Sequence, residues 1–373
     1  MSGQAGRSKA STRLAAVLTK RQLVPAAAVI ALAVTAGCAS SGSSGADAAS
    51  SLPAANSASL PAGSAAALQE AYVSVVKRTL PSVVEIQTSS GLGSGVVFNS
   101  AGDIVTNAHV VGTATRFKVL LSDSASPRPA TLVGRYLPDD LAVIKVSDTA
   151  NLRPAVFADS SKLAVGDIVL AIGAPLGLTS SVTEGIVSAT GRTVSEPSGE
   201  GSPGATLPDT IQTSASINPG NSGGALVDLA GQVAGIPTLA ATDQQLGGAA
   251  PGIGFAISSN TVTLIARQLV ASGRVTNSGR AALGVGVSTV AGSDGAPAGA
   301  GVISVTAGGP AAKAGIKAGS VITAVNGTPT PDVQSLSAAL AGLRPGDVAK
   351  VAVTTADGHH ETVRVTLGQL PSS

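Results

Sequence analysis

Ser216-Ile217-Asn218-Pro219-Gly220-Asn221-Ser222-Gly223-Gly224-Ala225-Leu226 is the stretch on which the reading of this chain turns. A serine stands among glycines in a tight loop, and the apolar run Ala225-Leu226-Val227 follows. Small residues on both sides let another backbone approach and keep the Ser222 hydroxyl accessible, as a nucleophile requires. The stretch alone also fits a plain glycine-rich turn in a chain with 46 glycines. Its partners elsewhere have to decide.

Around the loop, short Val- and Ile-rich runs alternate with Gly, Pro and Asn turns. Val83–Thr88, Gly95–Phe98, Ile104–Thr106, Phe117–Leu121, Ala130–Gly134, Leu141–Val146, Ile168–Ile172, Ser181–Val187 and Gln232–Ile236 all read as strands. Helical spacing is confined to Ala66–Leu80, which Pro81 stops, and to Val262–Leu269. Many short strands with turn signals between them argue for an all-β sandwich or a pair of barrels.

A serine nucleophile needs a base, and neutral imidazole suits the task near pH 7. The chain has three histidines. His359 and His360 follow the turn Asp357-Gly358 far downstream and read as exposed hairpin residues; only His109, in Thr106-Asn107-Ala108-His109-Val110-Val111, shares the region of Ser222. A carboxylate must orient that imidazole. Asp140 opens the apolar strand Leu141–Val146 and is best placed, with Asp139 as its nearest competitor; Asp123, Asp148, Asp159 and Asp167 sit beside turn residues and read as solvated. The pattern Gly220-x-Ser222-x-Gly224 also fits the nucleophile elbow of α/β-hydrolases, but that fold needs a helix after the serine and a later histidine. Here a strand follows, and the later histidines belong to another region.

Taken together, Thr106–Val111, Asp140-Leu141-Ala142-Val143 and Gly220–Gly224 resemble the three triad motifs of the HtrA (DegP/DegS-like) serine proteases. Gly93-Ser94-Gly95-Val96-Val97, Ala171-Ile172-Gly173 and Gly252–Ile257 resemble further segments of that family. The resemblance implies a mainly β chain with a chymotrypsin-like double β-barrel. Ser222 is then the nucleophile, His109 the general base and then acid, and Asp140 the orienting carboxylate. The backbone N–H groups of Gly220 and Ser222 form the oxyanion hole. Ser216 is the expected pocket floor and Ile236 a wall, which predicts a modest apolar P1 residue such as Val, Ala or Leu. Ser214 stands where relatives often carry Asp, and Pro237 where they carry Asn. Thr190–Pro208, rich in Gly, Ser and Pro, is the expected activation loop.

From Ala282-Leu283-Gly284-Val285 onward a new pattern begins, with Gly301–Val305, Val321–Val325, a helix near Asp332–Leu340 and paired strands at 348–354 and 361–367. It resembles an α+β PDZ domain of the HtrA kind. Leu283, Gly284 and Val285 match the loop whose N–H groups receive a peptide's C-terminal carboxylate, the peptide adding as a strand to a sheet edge. A non-catalytic, membrane-tethered PDZ scaffold is the alternative; three intact triad positions argue against it.

The N-terminus carries five bases and no acid before Cys38, then the apolar stretch Leu23–Ala36, too short for a comfortable span. Thr35-Ala36-Gly37-Cys38 resembles the bacterial lipoprotein box, with Cys38 lipidated. Removing those five from the chain's 23 bases leaves 18 against 21 acids, a net −3, which offers nothing to nucleic acid. No Zn-type Cys/His cluster, Walker loop or dinucleotide fingerprint stands out, so neither metal nor cofactor is expected. The expected organisation is a lipoprotein-type signal at 1–37, a Ser/Ala/Gly/Pro tether at 38–65, a protease domain at 66–268, a hinge at 269–280 and a PDZ domain at 281–370. The expected partners are unfolded or signal protein substrates outside the cytoplasm, C-terminal peptides, the membrane and two further copies in a trimer.

Overall fold

A computed structural model describes residues 64–89, 91–124, 126–174, 181–196, 205–218, 220–243, 248–293 and 295–370. The expected signal, Cys38 and the tether up to residue 63 lie outside them; the last two residues of the expected tether belong to the first helix. Helix α1 (Ser64–Thr79) precedes β1 (Val83–Gln87), β2 (Leu92–Val97), β3 (Asp103–Asn107), α2 (Ala108–Val111), β4 (Arg116–Leu121), β5 (Arg128–Tyr136) and β6 (Leu141–Val146). These six strands close a barrel in the order β1-β2-β3-β6-β5-β4. A second barrel, in the order β10-β11-β12-β9-β8-β7, uses β7 (Ile168–Gly173), β8 (Ser181–Glu196), β9 (Ala205–Thr213), β10 (Ala225–Asp228), β11 (Val233–Asp243) and β12 (Gly248–Ser258). The double barrel is the one the family motifs imply.

Period-two alternation explains how both faces of a strand are buried. In β6, Ala142, Ile144 and Val146 point into the first barrel with Val84, Ile86, Ile104 and Val119. Their neighbours Leu141 and Val143 point the other way, into a core shared with Leu170, Ile172, Ala225 and Val227 of the second barrel. Within that barrel, Leu226 packs on Val169, Ala171, Ile211 and Ala256. Helix α3 (Ser259–Ser272) covers the shared core with Val262, Ile265, Ala266 and Leu269, an i, i+3, i+4, i+7 stripe. It ends at Gly273, whose φ of 70° is glycine's ordinary C-cap geometry.

The last domain contains β13 (Ala281–Ala282), β14 (Val285–Ala291), β15 (Pro297–Val305), α4 (Pro310–Lys313), β16 (Val321–Val325), β17 (Thr328–Pro329), α5 (Val333–Ala341), β18 (Val348–Thr354), β19 (His360–Thr366) and β20 (Gly368–Gln369). Its sheet runs β14-β15-β16-β18-β19, which leaves β14 at an edge, and β13 pairs with β20. Ala300, Val302, Ile322, Leu336, Val351 and Val365 form its core.

Two expectations need correction. The stretch 190–208 is strand at both ends: β8 runs to Glu196 and β9 starts at Ala205, with pairs such as Val194↔Leu207 and Ser195↔Thr206 between them. Residues 197–204 of the expected loop lie outside the described residues. The polar stretch after α3 is not a free hinge. The Gln268 side chain accepts from the N–H groups of Thr276 and Asn277 at 3.0 and 2.8 Å, and Val275 is buried in the shared core. Arg280 donates to the Pro138 carbonyl at 2.5 Å and to Asp139 Oδ1 at 2.7 Å. Burial pushes the Asp139 carboxyl up, and the guanidinium pulls it back.

Candidate active site

Strands β3 and β6 are antiparallel neighbours, with Asn107 opposite Leu141. The residues just past the end of β3 and just before the start of β6 therefore meet. His109 lies in the former place, on the single turn α2; Asp140 lies in the latter, closing the 3-10 turn Leu137–Asp139. The ladder continues through them, with the N–H of Ala108 and the side-chain amide of Asn107 both donating to the Asp140 carbonyl, at 3.0 and 3.1 Å. The Asp140 carboxylate accepts twice from His109. Oδ1 takes the backbone N–H at 2.9 Å and Oδ2 the ring Nδ1 at 2.8 Å. The carboxylate side chain is 5% exposed and the imidazole 26%. A carboxylate can only accept at neutral pH, so Nδ1 carries the proton and the ring's basic lone pair lies on Nε2. Of the two adjacent acids, Asp140 faces the histidine and Asp139 faces Arg280.

Ser222 comes from the second barrel, on the turn that leads into β10. That turn is held from several sides. Asn221 donates its N–H to the Asn218 carbonyl at 3.0 Å and its side-chain amide to the Ser216 carbonyl at 3.2 Å. Gly223 donates to the Pro237 carbonyl at 3.0 Å, and Gly224 to the Asn221 carbonyl at 2.9 Å. Gly220, at φ 108°, takes a conformation that side-chain-bearing residues avoid. The Ser222 hydroxyl is partly exposed and donates to the Thr238 carbonyl at 3.3 Å. The Thr238 hydroxyl in turn donates to Asp140 Oδ2 at 2.6 Å. Thr238, on β11, therefore touches both the serine and the carboxylate, and sequence reasoning missed it. It falls at an irregularity of the β11–β12 register, between Pro237 and Leu239, which no sequence period marks.

Ser216 is exposed beside the turn, its carbonyl also accepting from the Thr183 hydroxyl at 2.8 Å. Ile236 is not a pocket wall. It is fully buried, opposite Ile257 in the shared core, and offers no surface to a substrate.

In the last domain, Gly284 at φ 72° turns the chain between Leu283 and Val285. The turn is fastened by N–H bonds from Ala311 to the Leu283 carbonyl and from Thr306 to the Gly284 carbonyl, at 2.8 and 2.9 Å. A cavity of about 730 Å³ opens beside it, between β14 and α5, lined by Leu283, Val285, Val287, Leu336 and Leu340. Pro138, Ala205 and Thr206 of the barrels border the same cavity.

Two closed six-stranded barrels, one carrying His109 beside Asp140 and the other a glycine-flanked serine, followed by a module with an open sheet edge beside a helix, have the architecture of a trypsin-like serine endopeptidase with a PDZ domain. Models of a trypsin-like peptidase domain and of a PDZ domain match residues 93–236 and 281–367. The serine protease PepD of Mycobacterium tuberculosis is 39% identical over 88% of this chain and 71% of its own length. The periplasmic pH-dependent serine endoprotease DegQ of Escherichia coli is 39% identical over 77% of this chain, which spans 61% of that protein. Among solved structures, the HtrA-type protease AlgW with a decapeptide is 31% identical, with a TM-score of 0.55 over 81% of this chain and 99% of its own. The serine endoprotease from Yersinia pestis is 35% identical, with a TM-score of 0.54 over 80% and 98%. The chain belongs to the HtrA family of serine proteases.

Proposed function

We propose that this protein is an extracytoplasmic endopeptidase that hydrolyses peptide bonds of misfolded or signal proteins through an acyl-enzyme at Ser222. The observation that carries the reading is the pair of bonds from His109 to Asp140, at 2.8 and 2.9 Å, on the barrel facing the serine turn. Ser222 Oγ attacks the scissile carbonyl and its proton passes to His109 Nε2. Asp140 holds the ring's tautomer and stabilises the imidazolium. The backbone N–H groups of Gly220 and Ser222 receive the developing oxyanion. The imidazolium then protonates the leaving amine, and water repeats the sequence on the ester. The small Ser216 at the turn supports a modest apolar P1 residue. The Leu283–Val285 turn takes a substrate's or regulator's C-terminal carboxylate, with the peptide pairing on the free edge of β14. Lipidation at Cys38 holds the enzyme at a membrane, and three copies assemble through the protease region.

Casein cleavage that disappears in Ser222→Ala, with an unchanged melting profile, is the expected result. Equal cleavage by that variant overturns the protease reading and leaves a tethered PDZ scaffold. A monomeric mass in light scattering overturns the trimer, and failure of palmitate labelling to depend on Cys38 overturns the anchor.

A further inference from the structure

The run Gly91-Leu92-Gly93-Ser94-Gly95 contains a serine that the mechanism above leaves without a task. Ser94 lies on β2 of the first barrel and is fully buried. Its polar groups all reach across to the second barrel or lock its own strand. The Ser94 N–H donates to the Ser222 carbonyl at 3.0 Å. Its hydroxyl donates to the Gly220 carbonyl at 2.5 Å and accepts from the Ala174 N–H at 2.8 Å. Its own carbonyl accepts from the Thr106 hydroxyl at 2.6 Å. Because Ala174 occupies the acceptor side of the hydroxyl, the O–H is aimed at Gly220. The turn lies flush against this residue: a Cβ on Gly223 would come within 2.2 Å of the Ser94 carbonyl oxygen.

Gly220 and Ser222 are the two residues whose N–H groups receive the oxyanion in the reading above, and Ser94 binds the carbonyls of those same two residues. We infer that Ser94 is a positioning residue of the oxyanion loop, acting by fixing the Gly220–Asn221 and Ser222–Gly223 peptide planes, each of which adjoins a plane that carries an oxyanion N–H, so that both donors stay aimed at one point. Glycine at Gly220 leaves that backbone free to rotate, so an external clamp is needed to preorganise it. The inference rests on Ser222 being the nucleophile.

The test is Ser94→Ala in the full-length protein, assayed with a fluorogenic peptide. Removing the hydroxyl leaves the Gly220 carbonyl and the Ala174 N–H unpartnered but takes away neither oxyanion donor. We expect kcat to fall about 10- to 100-fold, less than the roughly 10²–10³-fold lost with a donor itself, with KM within about twofold. A peptide aldehyde, which forms a tetrahedral adduct, loses affinity in step with kcat, while a cleaved-product peptide binds as before. Ser94→Cys keeps the volume with a weaker donor; it shows the same paired losses at smaller amplitude and carries the test if the alanine variant does not fold. Unchanged kcat and aldehyde affinity in the folded variants overturn the assignment, as does a loss expressed in KM alone. Fluorophosphonate labelling of the wild type, absent in Ser222→Ala, separates the two levels. If the wild type is not labelled, the nucleophile assignment falls and this one with it. If it is labelled and Ser94→Ala turns over normally, only the role of Ser94 falls.

Discussion

Replacing Arg280 by Met removes the positive end of a pair that fastens the segment just before the PDZ domain to the first barrel. Both partners are withdrawn from water, the Arg280 side chain being 11% exposed and that of Asp139 2%. At 2.7 Å their direct attraction is about 6 kcal/mol for an effective dielectric of about 20. Desolvation offsets much of this while the pair is intact. Once Arg280 is gone, the desolvation of Asp139 remains and nothing opposes it; its second oxygen, Oδ2, already has no hydrogen-bond partner. The Pro138 carbonyl also loses its guanidinium donor. A cost of about 3–5 kcal/mol follows for Arg280→Met at pH 7.5. Urea unfolding followed by far-UV circular dichroism measures it, and Arg280→Met combined with Asp139→Asn should recover at least about half, since no charge is then left buried. The pH dependence gives a second check. The lone Asp139 carboxyl is raised further above its unfolded value near 3.8, so its penalty is absent where both states are protonated and grows as pH rises through that window. The variant should therefore close on the wild type as the pH is lowered. A cost below about 0.5 kcal/mol at pH 7.5, the range of a solvated surface pair, refutes the reasoning.

Two shorter predictions accompany it. Thr238→Val keeps the shape of the side chain and removes the hydroxyl that donates to Asp140; a hydrogen bond to a charged group contributes about 1.5–3 kcal/mol, so kcat should drop about 10- to 100-fold with KM steady in peptide hydrolysis. Asp332 caps α5 through the Ser335 N–H at 2.7 Å, which holds its carboxyl below the ordinary 3.8. Asp332→Ala should cost about 1 kcal/mol at neutral pH, and because a lowered folded value means stability lost on acidification, the gap between variant and wild type should narrow below about pH 4 in thermal melts.

Much of the barrel architecture is legible in the sequence because each strand is a short apolar run bounded by turns. The candidate site is legible through scarcity, one upstream histidine and one acid at a strand mouth. What stayed hidden depends on long-range pairing. The stretch 190–208 has the composition of a loop, yet its ends are strands because β8 and β9 pair with each other across irregular registers. Arg280 reads as a solvated charge in a polar linker until that linker is placed against Asp139. Thr238 and Ser94 are ordinary hydroxyl residues in sequence, 98 residues from Asp140 and 126 from Gly220 respectively. Ile236 misled because its apolar character suits a pocket wall as well as a core, and only closure of the barrel decides between them.

Asp140 sits at φ 48° and ψ 41°, a left-handed conformation. Among residues other than glycine, Asp and Asn enter that region most readily. Gly and Asn meet the conformational demand but bring no negative charge to His109; Glu brings the charge but carries a longer chain that the left-handed backbone disfavours. Two unrelated filters thus act on one codon and leave a single amino acid that passes both. A substitution at this position therefore gives up the left-handed turn, the negative charge facing His109, or both.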